Sequence, residues 1–314
     1  MHICNKEHNF YASSIVGGSL PIALGAAMAL KRQGSENQVW AFSGDMASET
    51  GVFHEVAKYA AGHDLPLNLI VEDDGLGVYT PTQTVWGKSS FNGDGKLARY
   101  SPNGALEGKV THYKFERVLP SHGIGLWVEF PEDEESKGIF EAKGGVEYAL
   151  ELNKSMKKLG ERDDVYFMGQ TVGYKGSPMF NSLEGVVADK RLELPVMEEV
   201  QMGMATGMAM NGYTPVTIFP RIDFLTLATN QLVNHLDKME ELSAGQYKPR
   251  VIVRTAVGNP KPLYPGPQHC QDHTEAYRMM LPNMDVVKLE HSSEIGPAYD
   301  RAIDSDRSTL LVEI

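Results

Sequence analysis

Apolar positions along the chain change period in a regular way. Residues 17–80 read as helix, strand, helix, strand. A segment rich in small residues, from Gly17 to Lys31, suits a closely packed helix. The short apolar runs at 38–42 and 65–71 suit buried strands, and a helix of roughly residues 51–61 lies between them. From Pro81 to about Gly145 the texture changes. Residues 91–109 are turn-rich, residues 111–118 alternate like an exposed strand, and residues 131–138 form an acidic solvated turn. This stretch is expected to be a linker carrying a small β excursion.

The alternation resumes at Val146. A helix to about Leu159 precedes an apolar run at 164–169, and a second helix starts at Glu198 before a run at 215–219. A long helix is expected around residues 225–241, then a strand at 250–255. Helices near Glu275 and Ser293 alternate with strands at 284–289 and 309–314. Strands alternating with helices predict an α/β fold with mostly parallel sheets covered on both faces. The predicted division is 1–85, a linker at 86–144, and 145–314.

Two acidic turns stand out. Gly44-Asp45-Met46-Ala47-Ser48 follows the first buried strand, and Glu72-Asp73-Asp74 follows the second. In a parallel sheet both emerge at the carboxyl edge, where open α/β sheets bind ligands. Carboxylates converging there suit a hard divalent cation that holds a phosphorylated cofactor. Two ordinary solvated turn aspartates are the plainer alternative.

Composition narrows the class. With 314 residues, 42% hydrophobic and 22% charged, the chain is long enough for two packed domains. A net charge of −12 disfavours nucleic acid and anionic membranes as partners. The sequence has no long uncharged apolar run and no basic-then-apolar N-terminal signal. Two cysteines, Cys4 and Cys270, make neither a disulfide framework nor a zinc site, so a reducing cytoplasm is expected.

Asp45 and Asp74 are 74 − 45 = 29 residues apart, and the segment between them resembles the thiamine diphosphate motif, usually Gly-Asp-Gly ending in Asn-Asn. The preceding run, residues 9–31, is similar to the alpha subunit of the decarboxylating component of 2-oxoacid dehydrogenases. Residues 194–216, 230–238, 243–255 and 268–276 are similar, in order, to the beta subunit. Gly266-Pro267-Gln268-His269 also resembles a transketolase loop. The resemblance implies two thiamine-diphosphate-fold domains, a diphosphate-type domain truncated at its N-terminus and then a pyrimidine-type domain. The beta subunit's C-terminal docking domain has no counterpart in this reading.

What the resemblance implies for residues is specific. Asp45, Asp74 and the backbone carbonyl of Leu76 would ligate the metal, expected to be Mg²⁺. Asp74 stands where the family has Asn, which extends the choice to Ca²⁺ or Mn²⁺. Met46 replaces a glycine, yet Met46 and Ala47 can still offer N–H groups to phosphate. Ser14 and Val16 match positions whose backbone meets the aminopyrimidine, and Phe224 matches an aromatic that stacks on it. Glu198 would hydrogen-bond the aminopyrimidine ring nitrogen, and burial should raise its pKa. A glutamate simply placed at a helix start is the alternative there. His269 suits acid/base work or alkoxide stabilisation, with His273 next in line. His112 or His122 would stand in for a second family histidine. The methionine-rich helix after Glu198 reads as packing, close to a subunit interface in the family.

The implied activity is making or breaking a carbon–carbon bond beside a carbonyl, foremost 2-oxoacid decarboxylation with acyl transfer or carboligation. Transketolase-like ketol transfer is the alternative, with Lys261, Arg221, Arg254 and Arg278 as phosphate-pocket candidates, although solvated surface charges are the plainer reading of all four. A homodimer with sites between chains is expected. A noncatalytic chain, or one completed by a separate subunit, is the reading from a different class.

Overall fold

The computed structural model describes residues 3–13, 15–78, 80–87, 110–116, 145–175, 177–258 and 265–314. The chain divides into two compact units, Met1–Val128 and Glu129–Ile314.

The first unit opens with an antiparallel pair, β1 (Ile3–Asn5) and β2 (Phe10–Ala12). Helix α1 (Ser19–Arg32) leads to β3 (Val39–Gly44), which runs directly into the single turn α2 (Asp45–Ser48). Helix α3 (Gly51–Gly62) returns the chain to β4 (Leu67–Asp73). A small ladder of β5 (Leu76–Gly77) and β6 (Thr80–Pro81) then leads into α4 (Thr82–Trp86). Strand β7 (Val110–Lys114) completes a parallel sheet of order β3-β4-β7. This corrects the expectation of a β excursion within a linker. Val110 joins the core formed by Leu20, Phe53, Val56, Leu67 and Leu69, so the alternation at 110–114 belongs to the first unit's sheet. Helices α1 and α3 cover that face. On the other, Trp40 and Phe42 are 60% and 58% exposed.

The second unit runs from α5 (Gly145–Gly160) through β8 (Val165–Gly169), α6 (Pro178–Ser182) and β9 (Arg191–Glu193) to α7 (Glu198–Met210). Strand β10 (Thr214–Phe219), α8 (Ile222–Leu225), α9 (Met239–Leu242) and β11 (Ile252–Ala256) follow. Then come α10 (Thr274–Met280), β12 (Asp285–Leu289), α11 (Ser292–Asp304) and β13 (Thr309–Glu313). Among the described residues its six strands are all parallel, in the order β12-β13-β11-β10-β8-β9. Strands β10 and β13 are buried throughout. One face packs Leu152, Met156, Tyr299 and Ile303 from α5 and α11, and the other packs Met202, Leu225, Leu232 and Tyr277. Both units are therefore α/β, with parallel sheets flanked by helices.

The long helix expected at 225–241 is broken. A 3₁₀ turn at Thr226–Ala228 and a π-helical stretch at Asn230–Leu236 separate α8 from α9. Thr226 Oγ1 donates to the Asp223 carbonyl (2.6 Å) and Thr229 Oγ1 to the Thr226 carbonyl (2.8 Å). Such back-bonding by threonine competes with the regular ladder and changes the helical pitch.

Candidate cofactor site

The first unit gathers its candidate residues at the carboxyl edge of its sheet. Asp45 follows β3 without a loop, Asp73 ends β4, and Asp74 comes directly after it. Gly75, at φ +74°, turns the chain in a conformation that favours glycine. Asp73 Oδ1 accepts from the Gly75 N–H (2.9 Å) and Asp74 Oδ1 from the Leu76 N–H (3.1 Å), which fixes both carboxylates by their own turn. Asp45 is 7% exposed, and its Oδ2 is buried with no hydrogen-bond partner. Burial pushes its carboxyl above the ordinary range. The nearby Thr82 hydroxyl and the Met46 N–H pull it down, against the charges of Asp73 and Asp74, which add to the rise.

A cavity of about 440 Å³ opens on these groups, lined by Asp45, Asp73 and Asp74 and by Thr82, Trp86 and His112 among others. His112 Nε2 lies 2.8 Å from Asp73 Oδ2, and Lys114 reaches the same oxygen at 4.0 Å. The residues fit a divalent cation with a diphosphate. A buried acceptor without a donor faces the space, and two more carboxylates stand beside it. Among the described residues no group of three or more His, Cys, Asp or Glu side chains is arranged as a metal cage. A cation here would therefore need ligand or water oxygens to complete its shell.

Not every expected residue lines this space. Met46 and Ala47 are buried in α2. The Met46 side chain lies over Gly77, where a Cβ would come within 2.5 Å of its terminal methyl carbon. Leu76 is half-buried on β5. Val16, 42% exposed, is not among the lining residues. Ser14, His122 and Lys261 lie outside the described residues. Asp73 belongs to the second acidic turn, but the ligand role there is expected of Asp74. Thr82 and Trp86 are absent from the expected site, because no motif marks them.

The second unit also places its candidates at the carboxyl edge of the sheet. Glu198 is the first residue of α7 and is 9% exposed. Burial raises its pKa, opposed by its own backbone N–H and by the Gln170 amide, which donates at 3.4 Å from the turn after β8. Its neighbour Glu199 accepts from the exposed Asn230 amide (2.7 Å) instead. Phe224 and His269 meet edge to face, with ring centroids 5.3 Å apart and planes at 89°. The His269 loop is held from below. Arg221 Nη1 donates to the His269 carbonyl (2.9 Å), and Gln271 Nε2 donates to Asp223 Oδ1 (3.0 Å). Gly258 permits that approach, since a Cβ there would stand 1.6 Å from the His269 carbonyl oxygen.

Two of the expected phosphate-pocket cations are committed elsewhere. Arg254 is 1% exposed, and its Nε and Nη2 donate to Glu313 (2.7 and 3.1 Å) while Nη1 donates to Ser182 (2.7 Å). Both faces of β11 are buried, so this side chain points into the core. Arg278 pairs with Glu275 one turn earlier on α10.

Comparison with known proteins agrees with both halves. The family described as dehydrogenase E1 component matches residues 1–93. The family described as transketolase, pyrimidine binding domain, matches residues 146–313, more than half of the chain. The chain belongs to the thiamine diphosphate-dependent family of transketolases and 2-oxoacid dehydrogenase E1 components. It is 29% identical over 161 residues to the pyruvate dehydrogenase E1 component subunit beta-4, chloroplastic, of Oryza sativa subsp. japonica, covering 50% of this chain and 40% of that one. It is 32% identical over 168 residues to the pyruvate dehydrogenase E1 component subunit beta of Chaetosphaeridium globosum, covering 52% and 50%. The chain thus spans 40 to 50% of the length of these relatives. A solved structure titled split gene transketolase, inactive beta4 tetramer, overlaps 52% of this chain and 50% of that chain, at 15% identity and a TM-score of 0.42. No described helix is long and apolar enough to cross a membrane.

Proposed function

We propose that this chain binds thiamine diphosphate with a divalent metal and acts on a carbon–carbon bond beside a carbonyl, foremost by 2-oxoacid decarboxylation. The observation that carries this reading is the buried Glu198, its pKa raised, at the start of α7 within the segment that matches the pyrimidine-binding family. Bound there, the cofactor would supply the electron sink that lets such a bond break. Glu198, desolvated, would hold a proton for a ring nitrogen. Phe224 would offer a stacking face, and His269 a proton at the reacting oxygen. In the other unit Asp45, Asp74 and the Leu76 carbonyl would take the metal, and Met46 and Ala47 would lend backbone N–H groups. Ser14 and Val16 remain assigned to the aminopyrimidine by resemblance alone. Mg²⁺ is the expected ion, with Ca²⁺ or Mn²⁺ admitted by the extra carboxylate.

The division into a diphosphate-type region, a connecting stretch and a pyrimidine-type region stands as part of this proposal, with β7 moved into the first. Each site would form between two copies of the chain, or with a separate subunit, a reading supported by relatives that are E1 beta subunits. The free thiol of Cys270 suits a reducing compartment such as the cytoplasm. Ketol transfer is the second reading, favoured by Gly266-Pro267-Gln268-His269. The burial of Arg254 and the pairing of Arg278 weigh against it. A product assay separates the two: CO₂ from pyruvate or a branched 2-oxoacid supports the first, and glycolaldehyde transfer between sugar phosphates the second. Glu198→Gln is expected to lower turnover at least a hundredfold. Unchanged turnover in that variant would overturn the role of Glu198.

A further inference from the structure

The cavity in the first unit holds two polar groups that its carboxylates leave unexplained. Helix α4 presents Thr82 and Trp86, four residues apart and hence on one face. Thr82 Oγ1 and Trp86 Nε1 are both buried, neither has a hydrogen-bond partner, and both residues line the cavity with Asp45. Unpaired buried groups of this kind are uncommon in native proteins. An indole N–H is a donor only, so the partner it lacks is an acceptor. Asp45 Oδ2, the third buried atom without a partner on this wall, is an acceptor once ionised and calls for a cation or a donor. Thr82 lies close enough to Asp45 to lower its pKa without meeting hydrogen-bond geometry. One ligand satisfies all three atoms if it offers a cation on one side and anionic oxygens on the other.

We propose that Thr82 and Trp86 are the donors that hold the phosphoryl oxygens of a metal-chelated diphosphate in this cavity. The inference rests on the cofactor reading above and adds residues that the family resemblance does not mark. Glu49, Asp73, Asp74 and Glu116 also line the walls. A bare anion is repelled there, and the diphosphate enters with its metal. The wall built by α4 then reads phosphate while Asp45 reads the cation.

The test titrates the full chain with thiamine diphosphate plus Mg²⁺, with pyrophosphate plus Mg²⁺, and with unphosphorylated thiamine plus Mg²⁺. The variants are Thr82→Val, Thr82→Ser and Trp86→Phe, and ¹⁵N-labelled protein reports the Trp86 indole N–H, assigned by its absence in Trp86→Phe. Thr82→Val and Trp86→Phe are each expected to weaken diphosphate binding about tenfold or more, as for a hydrogen bond to a charged group. Thr82→Ser should keep wild-type affinity, and the indole resonance should move downfield on adding either diphosphate. Wild-type affinity in folded Thr82→Val and Trp86→Phe, with an unmoved indole resonance, overturns the proposal. If Thr82→Val does not fold, Trp86→Phe and the indole resonance decide. Pyrophosphate binding that depends on Thr82 and Trp86, with no preference for thiamine diphosphate, sinks the cofactor reading and keeps the two donors. A wild type that binds neither diphosphate overturns both.

Discussion

In the second unit Arg254, Glu313, Tyr299 and Ser182 close a hydrogen-bonded set inside the sheet, with Tyr299 Oη donating to Glu313 at 2.9 Å. In the first unit Asp45, Thr82 and Trp86 bring buried polar atoms to a cavity wall and leave them without protein partners. The sheets differ in the same sense. Six strands carry packed helices on both faces in one, while three strands leave Trp40 and Phe42 exposed in the other. A buried polar group is tolerated when its partners are built in, as around Arg254. Where a buried atom lacks a partner, as at Asp45 Oδ2, no protein group offsets that atom's cost of burial.

The largest effect should come from breaking the closed set. Arg254→Ala leaves Glu313 buried without its partner and is expected to cost about 3–5 kcal/mol in chemical denaturation. A loss under about 1 kcal/mol would show that the pair is not a structural element. In the first unit Met46→Ala removes the side chain packed over Gly77 and should cost about 2 kcal/mol or more. Asp45→Asn should run the other way, raising the melting temperature of the unliganded chain while abolishing metal-dependent binding. A lower melting temperature would contradict the view that Asp45 is held at a cost.

Acid titration sharpens the same contrast. Asp45 and Glu198 both have folded pKa values above the ordinary 3.8 and 4.5. The folded state therefore binds these protons more tightly than the unfolded chain. Their contribution is fully present below the ordinary values and is lost as pH rises through the raised ones. The double variant Asp45→Asn, Glu198→Gln should flatten the fall in stability from pH 4 towards neutrality, and an unchanged pH slope would count against both assignments. The smallest effect is expected at Trp40→Ser, within about 0.5 kcal/mol for an exposed position. A larger loss would show that this face is covered in solution.

Much of this was legible in the sequence, though unevenly. Apolar runs marked β3, β4, β8, β10 and β13 because buried parallel strands read as short hydrophobic stretches. Glu198, Phe224 and His269 were legible only through resemblance, since their meaning lies in spacing along a familiar pattern. Strand β7 was misplaced because one face points outward, and its period-2 alternation says nothing about which sheet it joins. Arg254 reads from the sequence as a surface charge or a phosphate-pocket cation, because periodicity does not reveal that both faces of β11 are buried. The break at 226–236 depends on threonine hydroxyls turning back onto carbonyls, a choice the apolar pattern does not record. Thr82 and Trp86 carry no motif, and only the fold shows that their polar atoms share a cavity with Asp45.

The most direct measurement is calorimetric titration of the purified chain with thiamine diphosphate, with and without Mg²⁺, beside Asp45→Ala. Saturable binding that requires the metal and disappears in Asp45→Ala is the expected result. Binding that ignores both the metal and Asp45, or no binding with any divalent metal, would contradict the assignment of this cavity to the cofactor.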